Sequence, residues 1–279
     1  VARLAPYQPA AAPTQRIAIQ PAATYLITGG LGALGVVVAQ WLADQGAQRL
    51  LLVGRRAPSP SAQTTIAALR AQGIAVITHQ ADVTDWGQVA GLMAHLDATY
   101  PLRGIIHAAG QLDDGIMLQQ TEARFATVLA AKMQGAWQLQ QLVQHLAATQ
   151  STALALDFFV SFSSLTSLLG NPGQANYAAA NAFLDAFAHY QRGQGMPALS
   201  INWGAWAEVG MAARMDEPAH QQRSNSGIGT MTQQQGLDAL AYLLTQPVAQ
   251  VGVTPIQWVT FQAHGAMANP FYAEFAVQE

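Results

Sequence analysis

Seven short apolar runs, separated by longer segments of helical pattern, are the sequence feature that most restricts the possible folds. The runs are Tyr25–Thr28, Leu50–Val53, Ala75–Thr78, Gly104–His107, Asp157–Ser161, Ala198–Asn202 and Gln250–Val253. The helical segments are 34–46, 61–72, 85–97, 121–147, 175–193 and 233–245. Continuous apolar strands that alternate with helices are typical of a parallel sheet with helices on both faces. We therefore predict an α/β fold with a doubly wound parallel sheet in a single domain.

The composition is consistent with one folded domain and excludes several other classes of protein. Of the 279 residues, 51% are hydrophobic and 10% are charged, so a large part of the chain can be buried. The formal net charge of −3 provides no basic field for a nucleic-acid partner. Cysteine is absent, and the histidines do not stand beside carboxylates at the spacing of a metal site, so we expect no metal.

Two segments of the sequence differ from the alternating pattern. Residues 1–23 are rich in alanine and proline, which predicts a linker or the trailing end of an upstream unit, followed by the folded domain at 24–279. Residues 208–232 are polar with little periodicity, which is typical of a lid or a disordered loop. No signal peptide or apolar stretch of membrane-spanning length occurs in the sequence, so we expect a cytoplasmic protein without a membrane partner.

A glycine-rich turn follows the first apolar run and precedes the first helical segment. It reads Thr28-Gly29-Gly30-Leu31-Gly32-Ala33-Leu34-Gly35. Glycines let a backbone approach a pyrophosphate closely, and a helix N-terminus supplies amides and a partial positive charge. Glycine triplets also form ordinary tight turns, but the position between a strand and a helix favours a Rossmann-like dinucleotide site. The cofactor-binding candidates here are Thr28, Gly29, Gly30, Leu31, Gly32 and Leu34.

The residues that follow the second and third apolar runs indicate which nicotinamide nucleotide binds. After the second run stand Arg55 and Arg56, where an NAD-binding chain would carry an acidic residue for the ribose 2′-hydroxyl. Two guanidiniums suit a 2′-phosphate, so NADPH is favoured over NADH, although arginines also occur in exposed loops. Asp82 and Val83 follow the third run. Asp82 either accepts a hydrogen bond from the adenine amino group or caps the helix that begins near Asp85.

The components of a ketone-reducing centre occur downstream of the glycine turn. Ser164 ends the fifth strand, so it faces the ligand crevice at the carboxyl edge of the sheet. Tyr177 and Asn181 share one face of the next helix, and Lys132, the single lysine of the chain, lies on the preceding helix. A serine hydroxyl polarises a ketone and a tyrosine donates a proton as hydride arrives from nicotinamide. A nearby ammonium lowers the tyrosine pKa.

Each of these residues also has a structural interpretation. Tyr177 could pack in a core, Ser164 could cap a strand end, and Asn181 could be a polar residue within a helix. Their occurrence together downstream of a phosphate-binding turn favours catalysis. We therefore predict that Lys132, Ser164, Tyr177 and Asn181 form a catalytic set.

These motifs resemble the ketoreductase domains of modular polyketide synthases, which are complex or extended short-chain dehydrogenases/reductases. Ordinary members of that family place lysine four residues after the tyrosine, whereas polyketide ketoreductases carry asparagine there and lysine on the preceding helix, as Asn181 and Lys132 do here. The resemblance runs from about Tyr25 to the segment Pro270-Phe271-Tyr272. It implies NADPH-dependent reduction of a β-ketoacyl thioester to the β-hydroxyacyl thioester during polyketide chain extension.

The same resemblance implies the stereochemical outcome. A Leu-Asp-Asp motif at 112–114 marks B-type ketoreductases, which deliver the D-β-hydroxyl. The stereocontrol and substrate residues thereby implied are Leu112, Asp114, Leu169, Pro172, Asn176 and, at the entrance of the 208–232 lid, Met211. Asp113 equally suits a solvated turn, and we interpret His107 as a structural residue at a strand end.

The resemblance also implies partners and leaves two other functions open. The substrate is expected on an acyl carrier protein, tethered through phosphopantetheine, and an upstream structural subdomain is expected before the catalytic part, with residues 1–23 as its trailing end. One alternative is a reductively silent scaffold or epimerase domain, which the complete catalytic set argues against. The other is a free-standing short-chain alcohol dehydrogenase, which the exchanged Lys132 and Asn181 argue against.

Overall fold

A seven-stranded sheet forms the centre of the fold in the computed structural model, which describes residues 4–7, 18–149, 154–210, 226–263 and 270–275. The strands are β1 (Thr24–Thr28), β2 (Arg49–Gly54), β3 (Ala75–Gln80), β4 (Leu102–His107), β5 (Phe158–Ser164), β6 (Ala198–Trp203), β7 (Ala205–Trp206), β8 (Thr230–Met231) and β9 (Gln250–Val253). The order in the sheet is β3-β2-β1-β4-β5-β6-β9, and the neighbouring pairs from β3 to β6 are parallel.

The helices follow the strands in the expected alternation. They are α1 (Ala33–Asp44), α2 (Pro60–Ala71), α3 (Trp86–Gly91), α4 (Glu122–Leu129), α5 (Gly135–Thr149), α6 (Thr166–Leu169), α7 (Ala175–Gly193), α8 (Gln233–Leu243) and α9 (Trp258–Ala263). Short 3₁₀ turns cover Leu92–His95, Met117–Gln119 and Pro270–Phe275, and Ala130–Gln134 is a π-helical turn. Side-chain oxygens cap four helix starts, those of Ser59, Asp85, Thr121 and Thr232.

Burial of the strands on both faces explains their continuous apolar sequence. All five residues of β1 are buried, and Leu26 and Phe159 pack in one cluster with Leu139 and Leu142 of α5. Helices covering both faces leave no solvated side on which polar residues could alternate. The Rossmann-like α/β architecture expected from the sequence is confirmed.

The order of the strands determines where a ligand can bind. The chain passes from β1 outward through β2 to β3, and then returns to place β4 on the other side of β1. In such sheets the carboxyl ends of the two strands at the reversal point flank a crevice that binds the ligand. Here those ends are Thr28 of β1 and His107 of β4, which are register partners.

The described residues divide into two compact units. The larger contains 18–149, 154–203 and 246–252, and the smaller contains 4–7, 204–210, 226–245, 253–263 and 270–275. Within the smaller unit β7 and β8 pair in parallel, so the segment predicted as an irregular lid at 208–232 includes a short strand. Residues 211–225, including Met211, lie outside the described residues.

One predicted helix differs in detail from the structure. The segment 121–147 was expected to form one regular helix, but the π-helical turn Ala130–Gln134 separates α4 from α5. A π turn inserts one residue without ending the helix, so the apolar pattern on either side still predicts a helix. None of the helices within the described ranges has the length and apolar character that a membrane span requires.

Candidate active site

The glycine turn after β1 is shaped by close backbone approach. Gly29 has a φ of +72°, and a Cβ there would lie 2.8 Å from the carbonyl carbon of Ala108. A Cβ at Gly35 would lie 2.5 Å from the Gly30 Cα. The N-cap of α1 is Gly32, which provides no side-chain hydrogen bond to the first-turn amides. A glycine cradle beside an N-terminus without a side-chain cap fits the pyrophosphate of a dinucleotide.

The other predicted cofactor residues lie around this turn. Leu31 is buried, Leu34 is half-buried, and Arg55 and Arg56 are exposed just after β2. The Arg55 guanidinium donates to Gln111 Oε1 at 2.5 Å, in the loop that follows β4. These positions place two cations at the end of β2, where no carboxylate stands.

Asp82 forms a local turn and not a helix cap. Its Oδ1 accepts from the Thr84 amide at 2.9 Å and from the Thr84 hydroxyl at 2.8 Å. The cap of α3 is Asp85, whose side chain accepts from the Gln88 amide. The suggestion that Asp82 caps this helix is therefore wrong, because the N-cap position lies three residues later, at Asp85. Val83 beside it is buried.

A buried histidine joins the glycine turn to Lys132. The distance from the Thr28 Oγ1 to the His107 Nδ1 is 2.7 Å, and that from the His107 Nε2 to the Lys132 carbonyl oxygen is 3.3 Å. A carbonyl only accepts, so the Nε2 carries the hydrogen and the Nδ1 accepts from the Thr28 hydroxyl. Burial, with the Lys132 charge as a second cause, lowers the pKa of His107 to about 3, so the imidazole is neutral. His107 therefore has a structural role, as interpreted from the sequence.

Lys132 lies in the π-helical turn and points inward. Its side chain is 3% exposed, and its Nζ donates to the Phe162 carbonyl oxygen at 2.8 Å. The same Nζ lies 5.5 Å from the centroid of the Tyr177 ring. Burial lowers the pKa of Lys132 to about 8, while the charge of Asp185 acts in the opposite direction. The amine therefore remains mostly protonated at pH 7.

The structure brings Tyr177, Asn181 and Ser164 together beside this ammonium. Tyr177 and Asn181 are buried on α7, and the Asn181 Nδ2 donates to the Tyr177 carbonyl oxygen at 2.7 Å. The Asn181 Oδ1 is buried and has no hydrogen-bond partner among the described residues. Ser164 is half-buried at the end of β5, and its Oγ accepts from the Thr166 amide at 3.2 Å.

The pKa of Tyr177 moves in the direction opposite to the expectation from the sequence. Burial is the largest cause and raises this pKa, whereas hydrogen bonds with Asn181 and Ser164 lower it and the charge of Asp114 raises it. The ammonium of Lys132 lies over the ring face, and it donates its hydrogen bond to Phe162. Desolvation of the phenolate therefore has a larger effect on the Tyr177 pKa than the two hydrogen bonds that lower it. Tyr177 stays protonated at neutral pH.

The loop after β4 is fastened to the start of α7 by three hydrogen bonds. The Asn176 Nδ2 donates to the Asp113 carbonyl oxygen, the Gln174 Nε2 donates to the Asp114 Oδ2, and the Gly115 amide donates to the Gly173 carbonyl oxygen, each at 2.8 Å. We call these three contacts the loop latch. They hold the predicted stereocontrol residues of this loop, Leu112 and Asp114, beside the helix that carries the tyrosine.

The remaining predicted stereocontrol residues lie in the segment that leads into α7. Leu169 is half-buried at the end of α6, Pro172 is exposed, and Asn176 is fully buried. The Asn176 Oδ1 accepts from the Tyr177 amide at 2.7 Å, so Asn176 connects the loop latch directly to the tyrosine.

Sequence reasoning missed one buried charge next to this set. Asp185 is 6% exposed on α7 and accepts hydrogen bonds from Ser167, Ser200 and Asn202. The signal was present, because Asp185 lies one helical turn beyond Asn181 and two beyond Tyr177, on the same face. The partners of Asp185 come from α6 and β6, and only the folded chain brings them to it. No group of three or more His, Asp or Glu within the described ranges could hold a metal ion.

Comparison with known proteins identifies the family of this site. The family model described as "KR domain" matches residues 23–208 of this chain. The chain belongs to the ketoreductase (KR) domain family of polyketide synthases. KR domains are oxidoreductases with the short-chain dehydrogenase type of Rossmann fold, and this KR domain contains the exchanged Lys132 and Asn181 within the matched range.

Relatives and solved structures support the same assignment. The KR domain is 38% identical over 278 residues to "6-methylsalicylic acid synthase" of Aspergillus terreus, covering 93% of this chain and 15% of that protein. It is 39% identical over 264 residues to "Polyketide synthase GfsA" of Streptomyces halstedii, covering 94% of this chain and 3% of that protein. The structure "The first ketoreductase of the tylosin PKS" is 35% identical with a TM-score of 0.79, covering 95% of this chain and 56% of that chain.

A further solved structure is more similar in backbone. It is described as "Structure of A-type Ketoreductases from Modular Polyketide Synthase", and it is 34% identical with a TM-score of 0.86, covering 98% of this chain and 56% of that chain. This KR domain thus spans about half the length of the solved ketoreductases it matches, and a small part of the synthases.

Proposed function

We propose that this KR domain reduces a β-ketoacyl thioester, carried by an acyl carrier protein, to the D-β-hydroxyacyl thioester, with NADPH as reductant. The observation that carries the proposal is the convergence of Lys132, Ser164, Tyr177 and Asn181 at the carboxyl edge of the sheet, beside the glycine cradle. Bound NADPH supplies the hydride that reaches the β-carbon. Tyr177, protonated at neutral pH, donates its phenolic proton to the carbonyl oxygen.

The side chains around Tyr177 have separate roles in the remaining steps, which are polarisation of the ketone, stabilisation of the phenolate and positioning of the helix. The Ser164 hydroxyl donates a hydrogen bond to the substrate carbonyl and makes its carbon more electrophilic. After proton transfer the phenolate of Tyr177 is buried, and the Lys132 ammonium beside its ring stabilises that negative charge. Asn181 holds the helix backbone at the tyrosine carbonyl and leaves a buried Oδ1 that can accept a further hydrogen bond.

The preference for NADPH rests on the end of β2. Arg55 and Arg56 are exposed there, where a carboxylate would repel a 2′-phosphate. The Arg55 guanidinium already lies within hydrogen-bonding distance of the loop after β4, so it can turn towards the crevice between β1 and β4. Thr28, Gly29, Gly30, Leu31, Gly32 and Leu34 would hold the pyrophosphate side, with Asp82 and Val83 near the adenine.

The D-configuration is proposed from the loop latch. Asp114 and Leu112 stand on a loop that three hydrogen bonds fix beside Tyr177, and a fixed loop limits the side from which a thioester can enter. Leu169, Pro172 and Asn176 complete this B-type assignment. The high TM-score with an A-type ketoreductase describes the whole backbone, whereas facial selectivity depends on this one loop and the start of α7.

The partners belong to the same proposal. The matched synthases and solved ketoreductases are longer than this chain, which supports an upstream structural subdomain ending near 1–23 and an acyl carrier protein that delivers the substrate. The catalytic part is proposed at 24–279, with 208–232 as the lid and Met211 at its entrance. The silent scaffold or epimerase is disfavoured because all four proposed catalytic residues are present and Lys132, Ser164 and Asn181 each lie near Tyr177.

The decisive experiment is NADPH oxidation with a β-ketoacyl N-acetylcysteamine thioester. We expect turnover by the wild-type chain and a loss of at least about a hundredfold in kcat for Tyr177→Phe, because the proton donor is removed while the ring still packs. Chiral analysis of the product is expected to show the D-alcohol. A folded, NADPH-binding wild-type chain without turnover would refute the reductase, and a predominantly L product would refute the B-type assignment.

A further inference from the structure

Asp185 is a charged residue at the active site to which the catalytic steps above give no role. Its two carboxylate oxygens accept hydrogen bonds from the Ser167 hydroxyl, the Ser200 hydroxyl and the Asn202 Nδ2, each at 2.7 Å. An amide nitrogen can only donate and both hydroxyls can donate, so this environment is built for an ionised carboxylate. In the described part of the chain, Asp185 is the only acidic residue that is buried.

We propose that Asp185 is a positioning residue for reduction, a fixed negative charge that balances the buried Lys132 ammonium and clamps the turn that carries Ser164. The inference deepens the proposed reductase function and rests on it. Asp185 itself touches neither the substrate carbonyl nor the phenol in this scheme, so it acts through Lys132 and Ser164.

The clamp is visible in the hydrogen bonds around Ser167. The Ser167 Oγ lies 2.7 Å from the Asp185 Oδ2 and 2.9 Å from the Ser164 carbonyl oxygen, and it accepts from the Asn202 Nδ2 at 2.8 Å. The Asn202 Nδ2 also lies 3.1 Å from the Ser163 Oγ. Asp185 therefore connects α7 to the end of β5 and to β6. This link fixes the position of Ser164 relative to Tyr177.

The charge balance follows from the surroundings of Lys132. Its ammonium is buried and its hydrogen-bond acceptor, the Phe162 carbonyl, is neutral. Two titratable groups lie beside it, His107 on β4, which is neutral, and Tyr177 on α7. Asp185 is linked to the same place by hydrogen bonds, because the Asn202 Nδ2 contacts both the Asp185 Oδ2 and the Ser163 Oγ, and Ser163 follows Phe162, whose carbonyl binds the ammonium. A buried ammonium without an opposite charge is costly, and among these groups Asp185 provides that charge. Its influence raises the pKa of Lys132 against the lowering caused by burial.

The competing explanation is that Asp185 only holds α7 against β6. The chain itself offers a way to separate the two roles, because Lys132 is its single lysine. Lysine labelled with ¹³C at Cε then gives one side-chain signal, and its chemical shift against pH reports the titration of Lys132 directly. This measurement needs neither substrate nor activity, so it remains informative if the proposed reductase function fails.

The central comparison is between the wild-type chain and Asp185→Asn. The amide is similar in size and removes the negative charge, so we expect the titration midpoint of Lys132 to shift to lower pH. Ser200→Ala is the matched control inside the network, because it removes one hydrogen bond and keeps the charge. It should lower thermal stability and leave the midpoint in place. Asp44→Asn, on the surface at the end of α1, should change neither.

Turnover provides the second measurement. In Asp185→Asn we expect kcat at pH 8 to fall about tenfold more than kcat at pH 6, because the ammonium is still protonated at the lower pH. An unchanged or raised Lys132 midpoint in Asp185→Asn overturns the proposal, as does an equal loss of kcat at both pH values. If Asp185→Asn does not fold, Asp185→Ser, which leaves room for water between the three donors, is judged by the same two results.

Discussion

At the scale of single residues, the proposed reduction would depend on two buried groups, Tyr177 and Lys132, and burial shifts the pKa of each in a direction that suits this chemistry. Burial raises the pKa of Tyr177 and lowers that of Lys132 to about 8. A phenol that stays protonated is ready to donate to a ketone. An ammonium beside its ring is protonated at pH 7 and can stabilise the phenolate that forms.

Substitution of Lys132 tests that division of roles. Lys132→Gln keeps a hydrogen-bond donor for the Phe162 carbonyl but lacks the charge, and Lys132→Met lacks both. If the charge is what matters, both variants lose kcat by about a hundredfold or more. Both should still fold but with a lower melting temperature than the wild type, because loss of the ammonium leaves the buried Asp185 carboxylate without the opposite charge proposed for it. Near-normal turnover in Lys132→Gln would show that the Phe162 hydrogen bond is the important contact.

His107 provides a pH-dependent prediction at the same scale. Its pKa is lowered from 6.5 to about 3 in the folded chain, so between these values the unfolded chain binds a proton that the folded chain does not. The stability from neutral His107 is therefore fully present above about pH 6.5 and is lost as pH falls towards 3. We expect His107→Gln to show a shallower loss of melting temperature over this range than the wild type. Parallel curves for the two chains would contradict the assignment.

At the scale of elements, the site depends on how a helix is interrupted and how a loop is held. The π-helical turn at Ala130–Gln134 turns Lys132 inward between α4 and α5, and His107 binds the carbonyl of that turn. On the other side of the tyrosine, the loop latch joins the end of β4 to the start of α7. The π-helical turn and the loop latch both connect elements that the order of the strands in the sheet already places side by side.

Weakening the loop latch tests whether it controls stereochemistry. Asn176→Ala removes the hydrogen bond to the Asp113 carbonyl and the one from the Tyr177 amide, so the loop with Leu112 and Asp114 gains freedom. We expect a rise in the minor β-hydroxy stereoisomer from a trace to about a tenth or more of the product, which corresponds to losing roughly 1–2 kcal/mol of discrimination. Gln174→Ala, which removes the Asp114 contact together with the contacts of its Oε1 to Asn171 and Thr166, is the matched variant because it leaves the Asn176 bonds in place. An unchanged isomer ratio in both would separate the latch from stereocontrol.

At the scale of the whole molecule, a cofactor that binds only the folded chain must stabilise it. With NADPH at a hundredfold excess over its Kd, the expected gain is about 2.7 kcal/mol in the free energy of unfolding. NADH should give a smaller increase in melting temperature, because it lacks the 2′-phosphate that Arg55 and Arg56 are proposed to bind. Thermal shift with each nucleotide measures the difference. Equal shifts from NADPH and NADH would argue against this role of the arginines.

Gly29→Ala is the variant that tests the cradle. The new Cβ would meet the Ala108 backbone at 2.8 Å, and the positive φ disfavours any side chain. We expect the variant's own melting temperature to fall and its NADPH-dependent increase to disappear. An increase as large as that of the wild type would place the dinucleotide elsewhere.

The sequence by itself determined the alternation of strands and helices, the glycine turn and the candidate catalytic residues. Apolar runs such as Leu50–Val53 are continuous because both faces of the strand are buried, and this pattern is a local property of the chain. The bounds of α7 were predicted to the residue, and the strand ends differed by up to three residues. These features are carried by neighbouring residues and can be read without the fold.

Only the tertiary structure determined the pKa shifts at the site and the positions of its side chains. The rise in the Tyr177 pKa comes from burial by several elements, and the position of Lys132 comes from a π turn that the apolar pattern does not reveal. The proposed role of Asp185 depends on hydrogen-bond partners on α6 and β6, which are distant from it in sequence. Desolvation and long-range hydrogen bonds depend on what surrounds a group in space. The sequence therefore supplied the candidate reacting groups, and packing determined their pKa values and positions.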